Sequence, residues 1–298
     1  MGLSGVVLLD KPKGITSRKA VDIVLKSLGE KKGGHFGSLD PFATGLLCIG
    51  IGNGTKLLPY MEDNIKAYIA TVGLEMFTDT DDITGNVEKA FGKINFDREK
   101  FEEWLTINSG EIIQMPPVYC AQKLNGKPLY RLKRQNKEVS PRAKKVIIHS
   151  MEVISIDDSS VEMKIVCSRG TYIRSLARNM GEHIGCGGYL RELRRLESEG
   201  FSIKDALTID EIKQKIENGK DILVPLLEAI KLPVAKVNAA GKEAILKGKP
   251  VQISTMLNDV SAEEESFVAI KDEEDNLLCM ARVKRSGGIF GYIERGFF

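Results

Sequence analysis

The chain has 298 residues, 42% of them hydrophobic and 28% charged, and its 43 Lys and Arg against 41 Asp and Glu leave a formal net charge of +2. This composition excludes a disordered tail protein and fits one large globular domain, or a large domain with a small one. No uninterrupted apolar run approaches the ~18 residues of a membrane helix, and residues 1–6 carry neither a basic leader nor a myristoylation pattern, so the expected compartment is the cytoplasm.

In chain order, residues 5–10 form a short apolar run suited to a buried strand. Ser17 is expected to cap a helix whose Val21, Val24, Leu25 and Leu28 fall at helical spacing before Gly29 stops it. A glycine-rich loop at 33–37 follows. Residues 66–74 alternate Tyr68, Ala70, Val72 and Leu74 as a half-buried strand would, and Val161, Met163, Ile165 and Cys167 repeat the pattern. Residues 97–107 read as a helix with Phe101, Trp104 and Leu105 inward. In residues 171–184, Ile173, Leu176, Ala177, Met180 and Ile184 make a core stripe, while Arg174 and Arg178 share another face.

Thr208 and Glu211 form a capping box for a helix through Asn218, and residues 223–233 read as a connection. Beyond it come a short helix ended by Gly248 and four short apolar runs, the pattern of a small β-barrel. The expected class is α+β, with a catalytic-sized domain at 1–232 and a barrel at 233–298. The five cysteines (Cys48, Cys120, Cys167, Cys186, Cys279) contain no Cys-x-x-Cys pair and histidines number three, so neither a disulfide framework nor a metal is expected.

Near-neutrality by itself argues against a nucleic-acid partner. Counted locally, the charge argues the other way: residues 122–145 hold nine Lys and Arg (Lys123, Lys127, Arg131, Lys133, Arg134, Lys137, Arg142, Lys144, Lys145) against Glu138 alone. Residues 11–34 and 164–195 are also basic, and Tyr119, Tyr130, Tyr172 and Tyr189 lie in or beside these stretches. Phosphate contacts and base stacking use that mixture. The compensating acids, such as Glu75, Asp79, Asp81, Asp82 and Glu88, are expected to lie away from the functional centre.

Residues 50–56 invite a nucleotide-loop reading but match neither glycine fingerprint, and they are read as a turn. The densest constellation is residues 33–45, where glycines allow close approach of a bulky ligand and Pro41 biases Asp40 to an extended conformation, presenting one carboxylate outward. Taken alone, an Asp before Pro is more often a turn residue than a nucleophile.

Gly34-His35-Phe36-Gly37-Ser38-Leu39-Asp40-Pro41 with Ala43-Thr44-Gly45-Leu46-Leu47 resembles the catalytic signature of the tRNA pseudouridine synthase B family. Other stretches are similar in the same order: Leu9-Asp10-Lys11-Pro12-Lys13-Gly14-Ile15-Thr16-Ser17, Lys66-Ala67-Tyr68, Thr78-Asp79-Thr80-Asp81-Asp82 with Gly85, and Pro116-Pro117 to Ala121. Gly126-Lys127-Pro128-Leu129-Tyr130, Cys167-Ser168-Arg169-Gly170-Thr171-Tyr172-Ile173-Arg174 and Leu193-Arg194-Arg195-Leu196 complete the series. Phe36 departs from the family's small or hydroxylated residue, Ser38 from its Thr and Cys120 from its Ser.

The resemblance implies a mixed-sheet pseudouridine synthase domain followed by a PUA-like RNA-binding module. It also implies an isomerase that flips out uridine-55 of the tRNA T-loop and converts it to pseudouridine, with no cofactor and no metal, acting as a monomer. Asp40 would be the nucleophile, attacking ribose C1′ or uracil C6 or assisting a glycal route, with Arg174 opposite it. Tyr68 would stack on the base and serve in proton removal. Tyr172 and Leu193 would wall the pocket, His35 would fill the space left by the flipped nucleotide, and Asp82 would meet a neighbouring T-loop base. Residues 122–145 would grip the T-arm backbone. The competing readings are a tRNA-folding factor, which could also be an accessory role, and an aspartate-dependent hydrolase of small molecules.

Overall fold

The computed structural model describes residues 2–61, 65–92, 96–120, 122–124, 126–133, 135 and 139–298; Ala121, Arg134, Lys137 and Glu138, named above, lie outside them. A nine-stranded sheet organises the larger part of the chain. Its strands lie in the order Gly5–Lys11, Thr44–Ile51, Tyr189–Ser198, Ile65–Gly73, Ser160–Ser168, Lys144–Ile156 and Gly110–Gln114, with Gly33–His35 added to Thr44–Ile51 and Phe201–Ser202 to Tyr189–Ser198. Neighbours are antiparallel except where Arg194 and Arg195 run parallel to Thr44 and Gly45. This one parallel pairing places the strand start that follows the glycine-rich loop beside the middle of Tyr189–Ser198.

Helix Ser17–Leu28 covers one face through Ala20, Val21 and Val24, packed with Val7, Leu9, Ile49 and Ile212 of helix Ile209–Glu217. Elsewhere on the sheet, helices Arg98–Ile107 and Ile173–Ile184 close a second cluster containing Trp104, Met163, Ile165, Leu176 and Leu193. Trp104 Nε1 donates to Asn179 Oδ1 at 2.8 Å, so this buried indole keeps a partner.

Ser17 is not the cap of the first helix. Thr16 is, accepting from the Lys19 N–H at 3.1 Å, and Ser17 is buried with its hydroxyl turned to another segment. The capping box at Thr208 and Glu211 and the left-handed stop at Gly29, φ 68°, form as the sequence indicates. Residues 52–56 form a short 3₁₀ turn.

The C-terminal part is a curled five-stranded sheet, a half-barrel in the order Val234–Lys236, Phe267–Lys271, Leu277–Ser286, Ile289–Gly296, Val251–Gln252. It is not a bead on a string. Ala269, Leu277, Met280 and Phe297 share one apolar cluster with Phe36, Leu46, Leu57, Tyr60 and Met61. Asn53 Nδ2 and Lys56 Nζ donate to the carbonyls of Phe297 and Gly296, at 2.6 and 2.8 Å. Among the described residues no helix is long and apolar enough to cross a membrane.

Candidate active site

Asp40 lies on the loop between strands Gly33–His35 and Thr44–Ile51, and that loop is anchored on both sides of it. Ser17 Oγ accepts from the Leu39 N–H at 2.8 Å and lies 2.9 Å from the Leu39 carbonyl, which its hydroxyl can reach as donor. The Gly14 N–H donates to the Pro41 carbonyl at 2.7 Å. Lys11, fully buried, donates Nζ to the carbonyls of Pro12 and Ile15 at 2.8 and 2.9 Å and lies 3.5 Å from that of Pro41. Lys11, Gly14 and Ser17 thus form the cradle of the loop, a role that sequence reading missed; Ser17, at an apolar position of the helix face, was the available signal.

From beneath, buried Arg195 donates Nε to the Leu46 carbonyl at 2.7 Å and Nη2 to that of Gly37 at 3.1 Å. Gly45, at φ 100°, is required here, since a Cβ would stand 2.3 Å from the Arg195 carbonyl oxygen.

Arg174, the second residue of its helix, meets Asp40 with Nε 2.9 Å from Oδ2 and Nη2 3.3 Å from Oδ1. The guanidinium is itself fixed by the carbonyls of Thr80 and Tyr119, at 2.9 and 3.0 Å. Its side chain is 7% exposed while that of Asp40 is 38% exposed, so a buried cation holds a partly exposed carboxylate. Burial pushes the Asp40 carboxyl above the ordinary carboxylate range and Asp82 adds to that push, whereas Arg174 opposes both.

Tyr68 and Leu193 lie on adjacent strands and share a cluster with Leu39 and Phe42. Burial pushes the Tyr68 hydroxyl up to about 12, against the opposing influence of the Arg195 cation beside it. Tyr172 immediately precedes the Arg174 helix, its backbone clasped by Gln114 through bonds of 2.8 and 3.0 Å. Burial and the neighbouring Cys120 raise its hydroxyl to about 12 as well. His35 is half-buried, and burial with Arg195, Arg18 and Lys66 nearby lowers its basicity below the usual range, so it is a neutral imidazole at pH 7.

Asp82 differs from its expected surroundings. It is 4% exposed, its Oδ1 accepts from Thr80, from the Thr84 backbone and from the Thr84 hydroxyl, and its Oδ2 lies 3.7 Å from Arg174. The acidic segment around it is not set apart from the signature either: Asp81 and Glu88 pair with Arg178 at 2.9 and 3.2 Å. The arginines four apart on one helix face collect these acids, which is why they fold onto the site.

Of the basic stretch, Lys127, Arg131, Lys133, Arg142, Lys144 and Lys145 are exposed. Its helix Leu129–Lys133 is seated by Leu129 and Leu132 on Cys120 and Tyr172, so the cations on it are carried close to the start of the Arg174 helix.

A family model described as TruB family pseudouridylate synthase (N terminal domain) matches residues 26–173, and one for the tRNA pseudouridylate synthase B C-terminal domain matches 174–236. The chain is 39% identical over 251 residues to tRNA pseudouridine synthase B of Geobacter sulfurreducens, covering 83% of each. Against the protein of the same name in Photobacterium profundum it is 33% identical over 300 residues, covering 94% of this chain and 95% of that one. A chain in the crystal structure of a Cbf5-Nop10-Gar1 complex has the same fold at TM-score 0.72 and 24% identity, over 99% of this chain and 85% of that one. With residues 26–236 matched by these models and relatives at 33–39% identity over most of its length, the chain belongs to the TruB family of pseudouridylate synthases.

Proposed function

We propose that the protein isomerises uridine-55 in the T-loop of tRNA to pseudouridine, with Asp40 as the nucleophile. The observation that carries this reading is the Asp40–Arg174 pair: a partly exposed carboxylate, on a loop pinned on both flanks, held by a buried guanidinium. Such a group can form a covalent or ion-paired intermediate while the N1–C1′ bond breaks and C5–C1′ forms. The C5 proton is lost and N1 gains one, so the change is an isomerisation.

Tyr68 offers its ring to the base and takes part in removing the C5 proton, with the Arg195 cation opposing the burial that raises its hydroxyl to about 12. Tyr172 and Leu193 wall the pocket. Neutral His35 occupies the place of the extruded nucleotide, whose flipping costs a few kcal/mol that stacking and phosphate contacts offset. Asp82 serves Arg174; a contact with a T-loop base would require residues 79–85 to open, because its carboxylate is bonded within its own loop. Residues 1–232 act as the catalytic domain, residues 122–145 hold the T-arm backbone, and 233–298 form a PUA-like module that adds shape-specific contacts to the tRNA. The enzyme works in the cytoplasm as a monomer.

The test is release of tritium from an unmodified tRNA transcript labelled at uridine C5. Wild type should release one label per tRNA and Asp40→Asn none. Absence of release from wild type ends the synthase reading, and tRNA refolding retained by Asp40→Asn would establish an accessory folding activity.

A further inference from the structure

Three basic side chains meet behind the catalytic loop. Lys66 lies two residues before Tyr68 on the same strand and therefore on the same face. Its Nζ is so close to Gly37 that a Cβ there would stand 2.4 Å from it, and Arg195 Nη1 is 3.6 Å from the same point. Arg169, at the turn before the Arg174 helix, is the third, with its side chain 36% exposed.

The acid among them is Glu199, whose side chain is fully buried. It pairs with Lys66 at 3.6 Å and with Arg169 in a short contact. Its place in the fold is unusual. Glu199 and Gly200 are the two-residue turn between Ser198 and Phe201, both with positive φ, 56° and 79°. Glycine, asparagine or aspartate is the ordinary occupant of such a turn. A glutamate held in the left-handed region, with its carboxylate turned inward, is a local strain that the surrounding charges must maintain.

We infer that Glu199 is a positioning residue for the reaction: it neutralises Lys66, so that Arg195 can hold the carbonyls of Gly37 and Ser38 and thereby set the loop bearing Asp40. This rests on the reading of Asp40 as the reacting carboxylate. The groups facing Lys66 come from every neighbouring segment: Glu199 and Arg195 from the Tyr189–Ser198 hairpin, Arg169 from the turn after Ser160–Ser168, Cys48 from Thr44–Ile51, and His35 from the adjoining strand. Burial and Arg195 already lower the Lys66 amine to about 8, and Glu199 opposes them. Without the carboxylate the amine remains a cation at low pH, repelling Arg195, and becomes neutral as pH rises.

The experiment is the ratio of kcat for Glu199→Gln to that of wild type, single-turnover with the C5-labelled transcript, at pH 6 and pH 9. The expected result is a loss of at least tenfold at pH 6 that shrinks to within threefold at pH 9, with KM for tRNA within threefold throughout. Lys66→Met combined with Glu199→Gln should restore kcat to within threefold of wild type at both pH values. A ratio that is the same at both pH values, or a loss that Lys66→Met does not repair, overturns the inference. So does full activity of Glu199→Gln at pH 6. Should Glu199→Gln fail to fold, Glu199→Gly removes the carboxylate where the backbone favours glycine and carries the same expectations. Isomerisation by Asp40→Asn would instead overturn the catalytic reading, so the two failures are distinguishable.

Discussion

Asp40 and Arg174 are separated by 134 positions in the chain and meet through two bonds. Their pairing sets a pH expectation. The proposed reaction uses Asp40 as a carboxylate, whose protonation is pushed upward by burial and Asp82 and held down by Arg174. On that reading, activity should be lost as pH falls through a value raised above that of an ordinary carboxylate. Arg174→Gln removes the opposing influence, so its acid limb should move to higher pH, with kcat reduced roughly 100-fold or more, the scale on which single electrostatic partners act. A pH–kcat profile of the variant with an unmoved acid limb would show that another group titrates there. The residue types at Asp40, Tyr68 and Arg174 could be named from the sequence because their motif strings are distinctive. The work of Lys11, Ser17 and Glu199 could not, because each acts on the backbone or charge of a segment distant in sequence.

At the scale of elements, helix Ser17–Leu28 separates two functions that a sequence reader merges. Thr16 caps the helix, whereas Ser17, one residue on, belongs to the Asp40 loop through its two Leu39 contacts. Thr16→Ala should cost about 1 kcal/mol of stability and leave kcat unchanged. Ser17→Ala leaves the buried Leu39 N–H without its partner, at a cost of roughly 1–3 kcal/mol, and should also lower kcat. Denaturant melts and single-turnover rates of the two variants check this, and equal kcat values would remove Ser17 from the loop cradle. Helix Ile173–Ile184 likewise has a core stripe legible from its period. What its other face does was hidden, because Arg174 and Arg178 select the 79–88 segment only when the sheet brings that segment over them.

For the whole molecule, the exposed cations of residues 122–145 and the near-neutral total make one expectation about tRNA. Affinity for a T-arm hairpin should fall steeply between about 50 and 200 mM salt, as phosphate contacts release counterions. A flat salt dependence, measured by fluorescence anisotropy, would take the T-arm away from this segment. The half-barrel supplies a second expectation. Because Phe36, Leu57, Tyr60 and Met61 share their cluster with Ala269, Met280 and Phe297, truncation after residue 232 should expose that face. The truncated chain should lose solubility and become protease-sensitive, and a soluble, fully active truncation would show that the two parts pack independently.

The sequence by itself determined the periodic elements, the α+β class, the capping box at Thr208, the stop at Gly29 and the signature loop, since these depend on neighbours within about a dozen positions. Only the tertiary structure decided that the acids of 79–88 lie on the arginine face, that Lys11, Gly14 and Ser17 cradle the Asp40 loop, and that Glu199 is inside. Strand pairing brings these segments together: Asp82 bridges Leu190, Lys11 pairs with Gly45, and Gly45 pairs with Arg195. The physical reason is that a long-range charge or hydrogen bond is fixed by which strands become neighbours, and local patterning does not encode that choice.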